Sequence, residues 1–258
     1  MWKSLKRQVV EGEKIPEVTL REKGKLVLQS IGVTILLNLC FYRHPAAFLP
    51  LSFIGLWYFK REEEMLLIQK REVLRKQFKD MLLLSMAGQR AGYSPENAFL
   101  QGYEDLKHLY GEESSICRIL QKIRAGLENH IQAADLWKTV GEESGVVEIR
   151  EFAHVFTIAK ESGGDMAAVL ESTAQTIADK VETKNEIEVI LSARRLEMKI
   201  MNMMPFALML YITLTSPGYF DSFYGSVQGV VIMTGALLLY LAAYLWGEKI
   251  AGKDKVWQ

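Results

Sequence analysis

A chain of 258 residues has room for one large domain or two small ones. Its 31 basic and 31 acidic side chains cancel, and no basic stripe is interleaved with aromatics, which excludes a nucleic-acid groove. The two cysteines, Cys40 and Cys117, fall in segments of opposite character and show no metal-type spacing, which excludes a disulfide framework.

The balance hides an uneven distribution. All but one of the 31 Lys and Arg residues lie in 1–25, 60–199 and 248–258, and the exception is Arg43. Short flanks rich in Lys and Arg are retained on the cytoplasmic side of a membrane. The pattern therefore predicts an all-α, multi-pass protein of a prokaryotic cytoplasmic (inner) membrane. Two transmembrane hairpins flank a cytosolic helical bundle, and both termini are cytosolic.

The N-terminal segment, 1–25, is cytosolic and carries a small positive excess. Twenty-five mixed-charge residues ahead of the first apolar run, and no small-residue pattern after it, argue against a cleaved signal peptide. The stretch Leu36-Leu37-Asn38-Leu39-Cys40 lacks the small residues of a lipoprotein cleavage site. The first hairpin, 26–59, pairs 26–42 with 46–59 across the turn Arg43-His44-Pro45. Fourteen residues cover only about 21 Å of helix, although Lys60 and Arg61 can extend the second arm by snorkelling. Two readings of 46–59 stay open, a full crossing and a re-entrant arm, and both return the chain to the same side.

Segment 60–199 holds 20 basic and 24 acidic residues and only helical periodicities. Four apolar stripes predict a bundle core: Leu67, Leu74, Phe78, Met81 and Leu82; Ile116, Ile119, Leu120, Ile123 and Leu127; Phe152, Val155, Phe156 and Ala159; Met166, Val169, Leu170, Ala174 and Ile177. No run alternates with period two, so no sheet is expected. Ala91-Gly92-Tyr93 ends the first helix, with Ser94 as N-cap and Pro95 at the first position of the next. Tyr110-Gly111 closes that one, Gly141 and Gly145 bracket a short connection, and Ser162-Gly163-Gly164-Asp165 separates the last two. From Asp165 no Pro or Gly intervenes before Pro205, about 60 Å of potential helix.

The second hairpin, 200–247, pairs 200–216 with 226–246. Pro205 is expected to bend its first arm, and Pro217-Gly218 breaks the helix. The connection holds Asp221 and no basic residue. Neither span contains an Asp, Glu, Lys or Arg, which disfavours a conducting role. Asn202 sits at the membrane edge, where it can bond a neighbouring helix, and Gly225 and Gly229 have the spacing of close helix packing. The cytosolic tail is 248–258.

Recognisable chemistry is sparse. Gly247-Glu248-Lys249-Ile250-Ala251-Gly252-Lys253 fills seven positions of a P-loop, but Asp254 stands where Ser or Thr must ligate magnesium. Glu151 and His154 supply one Glu-x-x-His of a di-metal bundle site, while Glu104 with His108, and Glu128 with His130, have the wrong spacing for a second. No catalytic residue, metal site or cofactor site is assigned.

The order of motifs resembles a known family. The stretch Leu84-Ser85-Met86-Ala87-Gly88-Gln89-Arg90-Ala91-Gly92-Tyr93-Ser94-Pro95-Glu96-Asn97-Ala98 is similar to the opening of the type II secretion system F domain. Phe156-Thr157-Ile158-Ala159-Lys160-Glu161-Ser162-Gly163-Gly164-Asp165-Met166 is similar to its helix–Gly-Gly–helix signature, and Ser192-Ala193-Arg194-Arg195 with Met204-Pro205-Phe206 to its approach to the membrane. The resemblance covers about 75–215, and one F domain between two hairpins looks most like the platform proteins of Tad (tight adherence) pili. It implies a scaffold and not an enzyme. It further implies a hexameric secretion ATPase on the cytosolic domain, pilin subunits guided by the membrane part, and a second F-type platform protein or self-association. No nucleic acid and no small-molecule substrate are implied. The turns at Gly92 and Gly163-Gly164 are the expected ATPase contacts. Two other functions compete: a helical-bundle membrane enzyme with a metal site near Glu151 and His154, and a membrane signalling adaptor relaying along 165–204.

Overall fold

The computed structural model describes residues 16, 18–42, 47–216, 218–220, 224 and 226–250, with the side chains of 188–195, 227 and 248–250 outside the description. The expected turn at Arg43-His44-Pro45, the connection around Asp221 and the tail after Ile250 lie outside the described residues. Every described element is an α-helix, and no strand occurs among them. In chain order they are α1 (Leu20–Phe41), α2 (Phe48–Arg90), α3 (Pro95–Gln101), α4 (Tyr103–Tyr110), α5 (Ser115–Glu128), α6 (Ala133–Ser144), α7 (Val147–Ser162), α8 (Met166–Thr215) and α9 (Val227–Ile250).

The chain divides into two compact units. One centres on Glu64–Thr183, and the other joins Leu20–Glu63 to Lys184–Gln258. Helices α2 and α8 contribute to both. The expected division at 59/60 is thus a change of surroundings within α2 and not a break. Nothing in Lys60-Arg61-Glu62-Glu63-Glu64 stops a helix. Likewise α8 runs through Pro205 to Thr215, a length of about 75 Å.

The bundle unit is built on aromatic rings. Phe78 of α2, Phe99 of α3, Trp137 of α6, and Phe152 and Phe156 of α7 are all fully buried. Trp137 meets Phe99 at 5.1 Å, Phe152 at 5.3 Å and Phe78 at 5.8 Å between ring centroids, each edge-on. This geometry puts ring edges on ring faces and adds to the area term. Three of the expected stripes lie in this core: Leu74, Phe78, Met81 and Leu82; Ile116, Ile119, Leu120 and Ile123; Met166, Leu170, Ala174 and Ile177.

Helix α7 is rotated from its expected face. Ile149, Phe152, Ala153, Phe156 and Ala159 point inward, whereas Val155 is exposed. Gly141 does not bracket a connection. It lies inside α6, where a Cβ would stand 2.8 Å from the Arg150 Cα. The absent side chain lets α6 and α7 cross backbone to backbone. Gly145 does end α6, in the left-handed conformation at φ 62°, and the Arg71 guanidinium covers it.

One buried carboxylate ties three helices of this unit together. Glu148, in the first turn of α7, accepts from Arg75 Nε of α2 at 2.9 Å and from Lys180 Nζ of α8 at 3.1 Å. Arg75 also holds Glu72 at 2.6 Å. Burial alone would raise the Glu148 carboxyl, but its own backbone N–H, Arg75 and Lys180 together hold it below the usual range.

The membrane unit packs differently. Three helical stretches are long and apolar enough to cross a bilayer: Leu20–Phe41, Leu196–Thr215 and Gln228–Gly247. The 48–59 arm is apolar but continuous with the charged part of α2. Buried on α1 are Ser30, Thr34 and Asn38, a polar row at spacing four. Ser30 Oγ donates to the Gly55 carbonyl at 2.6 Å, and a Cβ on Gly55 would fall 2.6 Å from Thr34 Oγ1. Helices α1 and α2 therefore meet at a glycine, as membrane helices do when small residues admit close approach. Leu37, Phe41, Leu51, Met233 and Leu237 form the adjoining apolar cluster.

Candidate partner-docking surface

The two glycine turns expected to matter are local consequences of sequence. After α2, Tyr93 N–H donates to the Gly88 carbonyl at 3.2 Å and Gly92 takes φ 94°, a conformation that a Cβ penalises. Ser94 Oγ then accepts from Asn97 N–H at 3.4 Å, with Pro95 at the first helical position. After α7, Gly164 N–H donates to the Ala159 carbonyl at 2.9 Å and Gly163 takes φ 66°. Asp165 Oδ1 accepts from Ala167 and Ala168 N–H at 3.0 and 3.2 Å and starts α8.

Two ion pairs link the helices that flank these turns. Lys160 of α7 holds Glu96 of α3 at 2.5 Å, and Arg90 of α2 holds Glu171 of α8 at 3.1 Å. The turns, seventy residues apart in sequence, thus share one end of the bundle. Burial works to raise the Glu96 carboxyl, but Lys160 and the residue's own backbone N–H lower it. Both pairs are partly or largely exposed and contribute little stability; their effect is to fix the relative placement of the turns. Gly92, Tyr93, Ser94, Gly163, Gly164 and Asp165 are all exposed there. The surface offers backbone amides, one phenol and mixed charge, and no nucleophile paired with a base. It can hold a protein; it has no constellation for bond-making.

The other candidate chemistry does not assemble. Glu151 and His154 are exposed on α7, as are Glu104, His108, Glu128 and His130 elsewhere. Among the described residues no three His, Cys, Asp or Glu side chains come together as metal ligands. An open cleft of 510 Å³ lies between α2 and the α4–α5 connection, lined by Lys70, Gln77, Tyr110 and Ser114. The Tyr110 hydroxyl donates to the Asp80 carboxylate there, which together with burial pushes the phenol up to about 12. A tyrosine so held is a structural donor at neutral pH. Cys40 and Cys117 are not joined in a disulfide, and Cys117 is buried. The P-loop-like stretch begins in the last turns of α9, and Ala251–Asp254 lie outside the described residues. At Asn202 the backbone carbonyl accepts from Tyr240 at 3.3 Å. Gly229 is buried, and Gly225 lies outside the described residues.

Residues 87–214 match the family described as Type II secretion system (T2SS), protein F. This stretch is a domain of the type II secretion system F family. No curated protein and no solved structure matches the chain. Proteins of this family are inner-membrane platforms of secretion and pilus machines, structural and not enzymatic, and they work with secretion ATPases and pilins. The match starts inside α2 and stops one residue short of the end of α8. Leu74, Phe78, Met81 and Leu82 precede it, yet they are core residues of the same bundle. The F domain here is therefore completed by the part of α2 that leads back toward the membrane unit.

The sequence gives no sign of the two ion pairs. Lys160, Glu96, Arg90 and Glu171 look like any solvated charges, and only tertiary packing pairs them. Their single legible trace is position, since each lies within a helical turn or two of a glycine break.

Proposed function

We propose that this chain is the single-F-domain platform of a Tad-type pilus, coupling a cytosolic hexameric ATPase to pilin assembly at the inner membrane. In this reading 60–199 hangs into the cytosol between hairpins 26–59 and 200–247, and both termini are cytosolic. The observation that carries it is the exposed end of the bundle. Two glycine turns and Tyr93 are gathered there within the F domain, held by Lys160–Glu96 and Arg90–Glu171. A pairing platform, either a second F-type protein or a second copy, completes the assembly.

The test is co-purification with the secretion ATPase encoded beside the pilin genes. Gly92 and Gly163 have positive φ, so bulky residues there would disturb the helix ends themselves. Tyr93→Asp and Gly164→Arg change the surface at ordinary backbone angles and are the better probes. Both are expected to lose ATPase capture while the protein stays in the membrane fraction. Unchanged capture in the double variant removes this surface from the proposal. Among the described residues Glu151 and His154 join no third metal ligand, and the adaptor reading keeps only the unbroken helix through 166–204.

A further inference from the structure

The 510 Å³ cleft between α2 and the α4–α5 connection has a lopsided hydrogen-bond balance. Gln77 of α2 lines it while only 5% exposed. Its Oε1 accepts from Ile116 N–H at 3.3 Å. Only the oxygen can accept that bond, so the orientation of the amide is fixed. The Nε2 group is left with no partner among the described residues. It is not sealed from solvent, so on a side chain this buried it opens into the cleft. Polar groups this far inside a protein are normally bonded, because an unmade bond there is costly.

The fourteen-residue helix α5 begins at the same cleft. Its first amides have no partner within the helix. Ile116 N–H is taken by Gln77, and Cys117 N–H by Ser114 Oγ at 3.4 Å. Ser115 is half-buried and lines the cleft, and its N–H and hydroxyl have no partner among the described residues. The positive end of the helix dipole adds to this unused donor.

The side-chain acceptors are in the opposite condition. Glu112 is held by Lys107 at 3.1 Å, and Glu113 by Arg118 at 2.9 Å. Asp80, behind Tyr110, takes the phenol hydroxyl and lies 3.2 Å from Lys79. Lys70 adds a cation to the lining. The cleft therefore lacks an acceptor, and the helix end and Lys70 favour one that is negative. Glu112 and Glu113 remain at the edge, so one negative charge is accommodated better than two. A carboxylate meets these terms and a dianionic phosphate does not.

A carboxylate alone fills little of this volume. Val73, 54% exposed, and the Tyr110 ring, 37% exposed, form an apolar wall in the same cleft. That wall suits an aliphatic side chain carried next to the acid, and the open form of the cleft admits an extended segment.

We propose that this cleft binds an acidic peptide segment of a partner protein, with one carboxylate accepting from Gln77 Nε2 and Ser115 N–H and a neighbouring aliphatic side chain against Val73 and Tyr110. Gln77 stands about 22 Å along α2 from Gly92. The site is therefore separate from the glycine-turn surface and stands whether or not that surface holds an ATPase.

The experiment titrates the full chain in detergent with three peptides, acetylated and amidated at their ends: Leu-Glu-Leu, Leu-Gln-Leu and Leu-phosphoserine-Leu. Dissociation constants are read by saturation-transfer NMR against a detergent blank. The glutamate peptide should bind about fivefold or more tightly than either of the others, since a hydrogen bond to a charged acceptor outweighs one to a neutral acceptor. Two variants test the donors. Gln77→Glu keeps an acceptor for Ile116 N–H but puts a carboxylate where the donor stood. Ser115→Pro deletes the unused N–H at the first helical position, where proline is tolerated. Ser114, at φ −65° and ψ 150°, is already extended as a residue before proline must be, so this variant keeps the fold. Each should weaken the glutamate peptide about tenfold. No binding of the glutamate peptide, equal binding of the glutamine peptide, or unchanged affinity in Ser115→Pro overturns the proposal. Tighter binding of the phosphoserine peptide overturns it too, because the site would then select a dianion.

Discussion

The two units solve the same packing problem with opposite polarity. In the bundle, rings and branched chains turn inward and charges turn out: Trp137, Phe78 and Phe152 are buried while Lys138 and Glu142 face solvent. In the membrane unit Ser30, Thr34 and Asn38 turn inward, and Leu39, Leu49 and Leu239 turn out. Helix α8 shows both habits along one rod. Leu170, Ala174 and Ile177 are buried, yet nothing in Leu196–Thr215 is buried within the chain. Burying apolar area from water contributes about 25 cal/mol per Å², but lipid is as apolar as leucine and offers no such gain. Helices there associate through close approach and hydrogen bonds. The two units should therefore fail by different substitutions.

The largest effect is expected in the aromatic core. Trp137→Ala removes the ring that three phenylalanines face and should cost the bundle about 3–5 kcal/mol, read as loss of near-UV ellipticity and earlier proteolysis between 64 and 183. Trp137→Phe should cost much less. The indole N–H is buried without a hydrogen-bond partner, so deleting it forfeits no bond. An equal loss in both variants would mean that the nitrogen, not the ring, holds the core.

Next in size is the buried carboxylate. Glu148→Gln leaves Arg75 and Lys180 facing a neutral amide. Breaking a buried pair costs about 3–5 kcal/mol, but Lys180 is half exposed, so about 2–3 kcal/mol is expected. The pH dependence has a definite sign. The folded carboxyl is lowered, so its contribution is complete above the unfolded value of about 4.3 and fades as pH falls through the folded value. The deficit of Glu148→Gln against the parent should be largest near neutrality and close in acid. A gap that stays constant down to acid unfolding would remove the ion cluster as its cause.

How much of this was readable depends on which unit a residue serves. Ser94, Pro95 and Gly163 were legible because caps and left-handed turns have local chemistry. Gly141 reads as a break in sequence because glycine marks both turns and close helix crossings, and only α7 lying against it separates the two. Val155 fits a core stripe by spacing yet faces out. The true face of α7 begins at Ile149, whose neighbours Glu148 and Arg150 disguise it. The 133–144 helix, with Ala133, Leu136, Trp137, Val140 and Gly141 on one face, is absent from the four stripes because Asp135, Lys138 and two glutamates interrupt it. The pairing of the two glycine turns was not legible at all, since complementary surface charges carry no address in sequence.

The smallest effect, and the sharpest on the comparison itself, concerns glycine. Gly55 and Gly32 both lie in apolar helices of the membrane unit. A Cβ on Gly55 would meet Thr34 Oγ1 at 2.6 Å and Ser30 Oγ at 3.3 Å, whereas one on Gly32 meets nothing within 4 Å. Gly55→Ala must push α1 from α2 or turn Thr34 away from the Ser30 carbonyl that it bonds at 2.9 Å. Overpacking of this kind costs about 1–3 kcal/mol. Gly32→Ala, on an exposed face, should be neutral or slightly stabilising, because alanine gains about 0.5–1 kcal/mol over glycine in a helix. The readout is the heat-aggregation midpoint of the full chain in detergent, down for the first and level or up for the second. If both fall together, the close approach of α1 and α2 is not what holds the membrane unit. If neither falls, the hydroxyl row is free to repack and the inversion between the two units is one of composition and not of fit.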